Sequence, residues 1–338
     1  MVPIVGPPVN SLDGRVSAPG ARRRSATGVD VPDPICQFRA MRIFITGAGG
    51  FVGQRLMQSL RDTGHETHGA DREVDVREPA AIEAALARYA PDAVIHLAAM
   101  SNVALSWEKP ALCYQLNFVG TRNLLAGVAR RCPRARVLLV GSADQYSATS
   151  SAAEPIDESV PLRPRSPYAR TKAAAELLGQ RAAQNGLDVV RVRAFNHTGA
   201  GQIDAFVASN FARQVARIAL GLQDPIMRVG NLESVRDFLH VDDVLCAYRL
   251  LLDPAVPADT YNIASGRSST IQKILDQLIA LGGIRPRIKR DPERFRPTDW
   301  LVGDATRLRT VTGWQPEITL ESILEELYTD WFEKEKRA

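Results

Sequence analysis

The feature that most limits how this chain can fold is a short apolar strand that runs directly into a glycine-rich turn. Arg42–Thr46 is an apolar, β-branched run typical of a buried strand, and a helix is predicted over residues 54–61. Glycines let the backbone approach a pyrophosphate closely, and the helix N-terminus favours its negative charge. We therefore predict a dinucleotide site rather than an unliganded turn. Its predicted residues are Gly47, Gly50, Phe51, Val52 and Gly53.

Strands and helices alternate through the first half of the chain. Further strands are predicted at 66–70, 93–97, 137–140 and 188–194, and helices at 79–89, 110–130 and 167–183. Alternation at this spacing predicts an α/β fold in which a doubly wound parallel sheet carries helices on both faces. In such sheets, ligands bind outside the carboxyl ends of the strands.

The end of the second strand bears on the choice of coenzyme. Asp71 follows Gly53 by 18 residues, which is where an acid holds the adenosine ribose hydroxyls of NAD(H). Arg72 comes next and could instead hold the 2′-phosphate of NADP(H), so both coenzymes remain open. Asp75 and Val76 are predicted to contact the adenine, although Asp75 could equally be a turn residue.

The third strand ends in an apolar residue and two small ones, which would let a coenzyme lie across the sheet edge. These residues are Leu97, Ala98 and Ala99. His96 precedes them within an apolar run, and we expect it to be a hydrogen-bonded core histidine rather than a catalyst.

A tyrosine and a lysine are placed to carry out chemistry. Tyr168 and Lys172 are four residues apart on a helix predicted to begin at Pro167, so they share a face. An ammonium near a phenol favours the phenolate, so we expect a lowered Tyr168 pKa and a proton donor or acceptor for a carbonyl/alcohol couple. Ser142 follows the fourth strand and could orient a substrate oxygen, or it could simply cap a turn. Alone, the Tyr–Lys pair could also be a surface pair.

Charge and composition exclude several classes of protein. The 338 residues carry a net charge of +4, and residues 1–40, with five Arg and three Asp, account for +2 of it. The nearly neutral remainder argues against a nucleic-acid-binding surface, and no apolar run has the roughly 20 residues of a membrane span. The cysteines are scattered, which predicts free thiols in a reducing, cytoplasmic compartment, with neither disulfides nor a metal site. They are Cys36, Cys113, Cys132 and Cys246.

The two ends of the chain differ from the alternating region. Residues 1–40 are rich in Pro, Gly, Ser and Arg, and we expect a disordered tail or a misassigned start before Met41. After residue 198 the predicted elements become shorter, with a basic loop at 285–296 and a closing helix at 320–333. We therefore predict a dinucleotide-binding domain at 41–198 plus about 235–265. A smaller mixed α/β substrate-binding domain would comprise 199–234 and 266–335.

The glycine turn, Ser142, Tyr168 and Lys172 together resemble the extended short-chain dehydrogenase/reductase family, which has a Rossmann fold, and the likeness covers 41–335. Residues 195–202, 229–238 and 296–299 resemble its GDP-mannose branch, which holds dehydratases and reductases. The dehydratases usually carry a Glu where this chain has Asp144, and they have a long insertion after the second strand. Here Asp71 leads straight to Asp75, so the likeness favours the reductases.

This resemblance implies that NADH or NADPH reduces the C4 keto group of a GDP-linked 4-keto-6-deoxy sugar, giving GDP-D-rhamnose for bacterial surface polysaccharide. Tyr168 would protonate the alkoxide, Lys172 would lower the pKa of Tyr168 and hold the nicotinamide ribose, and Ser142 would orient the carbonyl. Residues implied to contact substrate are Ala143, Asp144, Asn196, Arg236, Arg296 and Asp299.

Several alternatives remain at this point. Arg236 could instead pair with Asp237 or Asp242. The chain could be a dehydratase or epimerase with tightly held coenzyme, or an inactive sugar-nucleotide binder. The resemblance also implies a homodimer, in which the helices at 110–130 and 167–183 form a four-helix bundle across a twofold axis.

Overall fold

The computed structural model describes residues 39–146, 154–291 and 299–338. The predicted tail residues 1–38, with Cys36, and Arg296 lie outside them. In chain order the strands are β1 (Arg42–Thr46), β2 (Glu66–Ala70), β3 (Ala93–His96), β4 (Arg136–Val140), β5 (Val189–Ala194), β6 (Asn196–Thr198), β7 (Ile226–Val229), β8 (Val235–His240), β9 (Thr260–Ile263), β10 (Ser268–Thr270), β11 (Arg287–Arg290) and β12 (Trp300–Leu301).

The helices of the described residues are α1 (Phe51–Asp62), α2 (Pro79–Tyr89), α3 (Val103–Glu108), α4 (Pro110–Tyr114), α5 (Gly120–Arg131), α6 (Pro167–Gln184), α7 (Val207–Ala219), α8 (Val241–Leu250), α9 (Ile271–Gly282), α10 (Thr306–Thr312) and α11 (Leu320–Arg337). None of them is long and apolar enough to cross a membrane.

The main sheet has six parallel strands in the order β2-β1-β3-β4-β5-β9, which confirms the predicted doubly wound α/β fold. The strand order reverses between β1 and β3, so a crevice opens at their carboxyl ends. The glycine turn directly follows β1, Asp71 directly follows β2, and Ser142 comes two residues after the end of β4. All three therefore lie at this edge of the sheet.

Two apolar clusters cover the faces of this sheet. One joins Ile43, Ile95 and Val192 to α8 residues such as Val244, and the other packs Val94 and Val137 against α2 and α5. His96 is a core histidine, as predicted. Its ring nitrogens lie 2.7 Å from Thr46 Oγ1 and 3.0 Å from Thr121 Oγ1, and burial lowers its pKa to about 3.

The predicted helix at 110–130 is present, but it is not a regular α-helix throughout. A π-helical turn, Gln115–Val119, separates α4 from α5, and the additional helix α3 precedes them. The Asn117 side chain accepts a hydrogen bond from Met100 N at 2.7 Å and donates to Thr171 Oγ1 at 3.0 Å. Long-range partners therefore hold this turn, and turns of this kind are frequent at functional sites.

The remaining elements form smaller sheets. Strand β8 pairs with β6 and β12 in parallel and with β10 antiparallel, while β11 pairs with β7. Helices α7, α9 and α11 share a separate apolar cluster that includes Phe211, Leu275 and Leu327. The predicted loop at 285–296 is wrong for Arg287–Arg290, because pairing with a strand about 60 residues earlier in the chain orders a segment that has no apolar alternation of its own.

Candidate active site

The turn after β1 has no room for side chains at two of its glycines. Gly47 adopts a φ of +72°, and a Cβ there would lie 2.7 Å from Ala98 N. A Cβ at Gly53, in the first turn of α1, would lie 2.3 Å from Gly47 O. The backbone of this turn is therefore bare and faces the end of β3. This arrangement suits close approach by a pyrophosphate.

The next part of the site surrounds Asp71, which is exposed at the end of β2. A Cβ at Gly49 would lie 2.3 Å from Asp71 Oδ2, so Gly49 is a turn residue that the prediction omitted. Asp75 accepts hydrogen bonds from Arg77 N at 2.9 Å and from the Arg77 guanidinium, which lowers the pKa of Asp75. Asp75 thus has the turn role left open above, although it also lines the cleft described below.

Helix α6 presents the tyrosine and lysine as the spacing predicts. Ser166 caps the helix by accepting from Ala169 N at 3.1 Å, and Tyr168 N donates to Ser106 Oγ at 3.2 Å. Tyr168 and Lys172 are each 7 % exposed, so they are not a surface pair. The Lys172 ammonium donates to Val140 O at 2.7 Å.

The expected lowering of the Tyr168 pKa is wrong in this arrangement. Burial and the charge of Asp144 raise the pKa of Tyr168 above its ordinary value, and the Ser142 hydroxyl acts in the opposite direction. Burial lowers the pKa of Lys172 to about 8. Spacing along the helix could not anticipate this result, because desolvation depends on what the rest of the chain packs around the phenol.

Ser142 has the turn-capping role considered for it, while its role toward a substrate oxygen stays a prediction. Its Oγ accepts from Asp144 N at 3.2 Å and so caps a short 3₁₀ turn, Ala143–Gln145. It also lines the same cleft as Tyr168 and Lys172.

A single cleft of about 1130 Å³ brings most of the predicted residues together. Those on its lining are Gly47, Gly50, Phe51, Val52, Gly53, Asp71, Asp75, Val76, Leu97, Ala98, Ala99, Ser142, Ala143, Asp144, Tyr168, Lys172 and Asn196. The glycine-rich turn and the side chains of Ser142, Tyr168 and Lys172 therefore border one continuous space.

Arg236 and Asp299 do not line this cleft, but they form an ion pair at 2.7 Å. Pairing of Arg236 with Asp237 is wrong, because the Asp237 carboxylate accepts from Ser265 N and Gly266 N. Asp242 pairs with Arg55 instead. Burial raises the pKa of Asp144, while Arg236 lowers it and Asp299 raises it, so these three side chains form one electrostatic group.

The cleft also includes residues that the sequence analysis missed. His197 lines it and uses Nδ1 to contact Phe195 O at 2.9 Å. Tyr248 of α8 lines it at 1 % exposure, and burial raises its pKa. His197 lay in a stretch already singled out, but Tyr248 lies in an ordinary amphipathic helix and gave no signal.

Comparison with known proteins agrees with this geometry. The family model for GDP-mannose 4,6 dehydratase matches residues 72–327. GDP-6-deoxy-D-mannose reductase of Pseudomonas aeruginosa is 38% identical over 295 residues, which cover 86% of this chain and 97% of that protein. GDP-mannose 4,6 dehydratase 1 of Arabidopsis thaliana is 28% identical over 328 residues, covering 87% and 90%.

Solved structures show the same likeness. The structure of RMD from Pseudomonas aeruginosa complexed with NADPH has a TM-score of 0.78 at 38% identity. The match covers 87% of this chain and 100% of that chain. UDP-glucose 4-epimerase of Thermus thermophilus, in complex with NAD, has a TM-score of 0.78 at 27% identity, covering 86% and 99%. The chain belongs to the GDP-mannose 4,6-dehydratase family, within the extended short-chain dehydrogenase/reductases.

Proposed function

We propose that this protein reduces the C4 keto group of GDP-4-keto-6-deoxy-D-mannose to GDP-D-rhamnose with NADPH or NADH. The observation that carries the proposal is the shared cleft, which has the bare glycine turn at one end and Ser142, Tyr168 and Lys172 at the other. The 38% identity to a GDP-6-deoxy-D-mannose reductase supports this substrate class.

The residues present fit a nicotinamide dinucleotide. The turn at Gly47 and Gly53 would hold the pyrophosphate. Both positions must be glycine, since a Cβ there would meet backbone atoms, and the bare backbone lets a pyrophosphate come close. Asp71 or Arg72 would meet the adenosine ribose, and both line the cleft. The chemistry that such a bound coenzyme supplies is a hydride for the carbonyl carbon.

The chain's own side chains handle the carbonyl oxygen. Because the pKa of Tyr168 is raised, its phenol is protonated at neutral pH, and this is the form that can donate a proton to the new alkoxide. The Ser142 hydroxyl would donate a hydrogen bond to the carbonyl oxygen, and Lys172 would hold the nicotinamide ribose. These roles suit reduction, which needs an acid at this position.

We assign the sugar nucleotide to the side of the cleft near Asp144 and Asn196. Arg236 and Asp299 form one electrostatic group with Asp144. A guanidinium fork matches diphosphate oxygens, so Arg236 and Arg296 would bind the diphosphate, and Asp299 would bind a ribose hydroxyl. We also propose, as the sequence predicts, that 41–198 with about 235–265 bind the coenzyme, and that 199–234 and 266–335 contribute to binding the sugar nucleotide.

Two alternatives use the same site. A dehydratase needs a carboxylate base at C5, and Asp144 stands near Tyr168. The short connection from β2 to α2, residues 71–78, and the shorter side chain of Asp144 favour the reductase. The second alternative is a non-catalytic sugar-nucleotide binder. Such a protein would not need Ser142, Tyr168 and Lys172 to line one cleft, so their presence together there favours an enzyme.

The decisive experiment offers the purified protein freshly made GDP-4-keto-6-deoxymannose with NADH or NADPH. We expect coenzyme oxidation and formation of GDP-D-rhamnose by NMR, with no coenzyme retained through purification. Conversion of GDP-mannose to the keto sugar by protein that retains its coenzyme would identify a dehydratase instead. Absence of both reactions, with the sugar nucleotide still bound, would favour the binder.

We also propose a cytoplasmic homodimer that serves bacterial surface-polysaccharide synthesis. Among the described residues, Cys113 and Cys132 are not paired in disulfides, which supports a reducing compartment. The dimer would form through α4–α5 and α6. Large apolar side chains of α3, α4 and α6 are exposed, and they are Trp107, Tyr114 and Leu177.

A further inference from the structure

Behind Ser142 lies a buried polar chain of three side chains. Glu176 accepts hydrogen bonds from Arg193 Nη2 at 2.6 Å and Arg193 Nε at 3.0 Å, and it also accepts one from Gln145 Nε2. Gln145 is fully buried, and the side chains of Glu176 and Arg193 are 10% and 9% exposed. Buried polar groups of this kind hold a fixed geometry only when all of their bonds are made.

This chain of bonds reaches the backbone of the catalytic serine. Gln145 Oε1 accepts from Ser142 N at 2.9 Å. A Cβ at Gly141 would lie 2.5 Å from the same Oε1, so the amide oxygen sits tightly against the turn. The Gln145 side chain is therefore in direct contact with the backbone that positions Ser142.

The other end of the chain lies on the helix that carries the tyrosine. Glu176 follows Lys172 by one turn and Tyr168 by two, and it lines a cavity of about 10 Å³ together with Lys172 and Gly141. Arg193, on β5, is anchored in turn by Tyr146 Oη at 2.6 Å and by Glu158 O at 3.2 Å. The Ser142 turn and helix α6 are thus tied together by side chains that do not line the large cleft.

We propose that Gln145 and Glu176 are positioning residues that act through Ser142, setting the place of its hydroxyl relative to the Tyr168 phenol. Ser142 Oγ accepts from Asp144 N, so its hydroxyl proton remains available to donate a hydrogen bond, and the position of Oγ depends on this turn. The inference rests on the proposed reductase function. A displacement on the order of 1 Å at a reacting group can cost about 100-fold in rate.

The test is a double-mutant cycle between Gln145→Ala and Ser142→Ala. Gln145→Ala leaves the Glu176–Arg193 ion pair intact, which limits the loss of stability. We expect Gln145→Ala to lower kcat by about 10- to 100-fold with little change in KM for NADPH. In the Ser142→Ala background it should cost almost nothing further, since its effect passes through that hydroxyl.

Two further variants separate positioning from simple folding. Glu176→Gln keeps the side-chain shape and one acceptor oxygen, and it should retain more activity than Glu176→Ala at equal folded fraction. Gln180→Ala, an exposed position on the same helix, should leave kcat unchanged. Independent, additive costs of Gln145→Ala and Ser142→Ala would overturn the proposal, as would an unchanged kcat in Gln145→Ala.

A crystal structure tests the positioning role of Gln145 and Glu176 independently of the proposed reductase activity. The crystal structure of Gln145→Ala or Glu176→Ala with NADPH should show Ser142 displaced from its position relative to Tyr168. Ser142 in its original place would overturn the proposal even if the wild type reduced no keto sugar. Failure of the wild type on the keto sugar, with Ser142 displaced in the variants, would contradict the reductase assignment alone.

Discussion

At the scale of single residues, the central pair is Tyr168 and Lys172. Burial shifts the pKa of each away from its ordinary value, upward for Tyr168 and downward for Lys172. The phenol stays protonated at neutral pH, and the pKa of Lys172 is lowered to about 8. One turn of helix therefore carries a protonated phenol and an amine whose pKa is lowered, as the proposed reduction requires of its acid.

Tyr168→Phe should abolish most chemistry while sparing coenzyme binding. The change removes one oxygen and keeps the ring, so α6 should pack as before, but no group remains to protonate the alkoxide. Loss of a general acid costs about 10²–10⁴-fold in rate. We expect that fall in turnover with an unchanged NADPH dissociation constant by fluorescence titration. Tyr89→Phe, outside the cleft, is the control, and Tyr168→Phe that keeps most of its turnover would contradict the whole site.

Asp71→Ala should shift the choice of coenzyme toward NADPH. The Asp71 carboxylate at the end of β2 would bond the ribose hydroxyls of NADH and repel a 2′-phosphate. We expect the wild type to use NADH at least as well as NADPH, and the variant to raise kcat/KM for NADPH relative to NADH. Strict NADPH dependence of the wild type would instead make Arg72 the residue that selects the coenzyme.

At the scale of secondary-structure elements, the C-terminal helix α11 is tied to the start of the fold by one carboxylate. Glu326 contacts His240 Nε2, accepts from Arg55 Nη2 at 3.0 Å and accepts from Ala200 N at 3.1 Å. The hydrogen bond to His240 is the largest cause lowering the pKa of Glu326 to about 2, against the opposing effect of burial. One residue thus links α11, α1, the end of β8 and the loop after β6.

Glu326 should make the free energy of unfolding decrease as the pH becomes acidic. Because its folded pKa lies below the ordinary value of 4.5, its contribution is complete above pH 4.5 and is lost as the pH falls toward 2. The side chain is 36% exposed, so the contribution is on the order of 1 kcal/mol after screening. Melting curves should show wild type more stable than Glu326→Gln at pH 7, with the difference shrinking as the pH falls from 4.5 toward 2. Glu325→Gln on the same helix should show no such convergence, and a constant gap for Glu326→Gln would refute the assignment.

At the scale of the whole molecule, exposed apolar side chains favour self-association. Leu177 is 61% exposed on α6, and Trp107 and Tyr114 are 57% and 47% exposed on the neighbouring α3 and α4. Grouped apolar exposure of this kind marks interaction surfaces.

Leu177→Glu should therefore weaken a dimer. We expect the wild type to scatter light as a dimer at micromolar concentration and the variant to shift toward monomer, since a buried carboxylate in the interface would lack a partner. Leu222→Glu, which changes a leucine that is 51% exposed after α7, is the matched control and should remain dimeric. A monomeric wild type would reject the dimer.

Removing residues 1–40 should change neither activity nor stability. This stretch has no apolar periodicity in its sequence, so it lacks a face to bury. A chain that starts at Met41 should match the full chain in kcat and in Tm within error. A fall of several degrees in Tm would show that the tail packs on the fold.

The local signals in the sequence determined the fold class and the centre of the site. A strand, a glycine turn and a helix in succession predicted the coenzyme end of the cleft, because the conformation of such a turn is set by neighbouring residues. The four-residue spacing of Tyr168 and Lys172 placed them together for the same reason, since the helix period alone puts them on one face.

Only the tertiary structure decided features that depend on residues distant in the chain. The π-helical turn at Gln115–Val119, the pairing of β11 with β7 and the contact of Arg236 with Asp299 each join separate segments. The raised pKa of Tyr168 belongs to this group, because it comes from desolvation by many elements at once. The hydrogen bonds from Glu176 through Gln145 to Ser142 were also decided by the tertiary structure, because they join segments that meet only when the chain has packed.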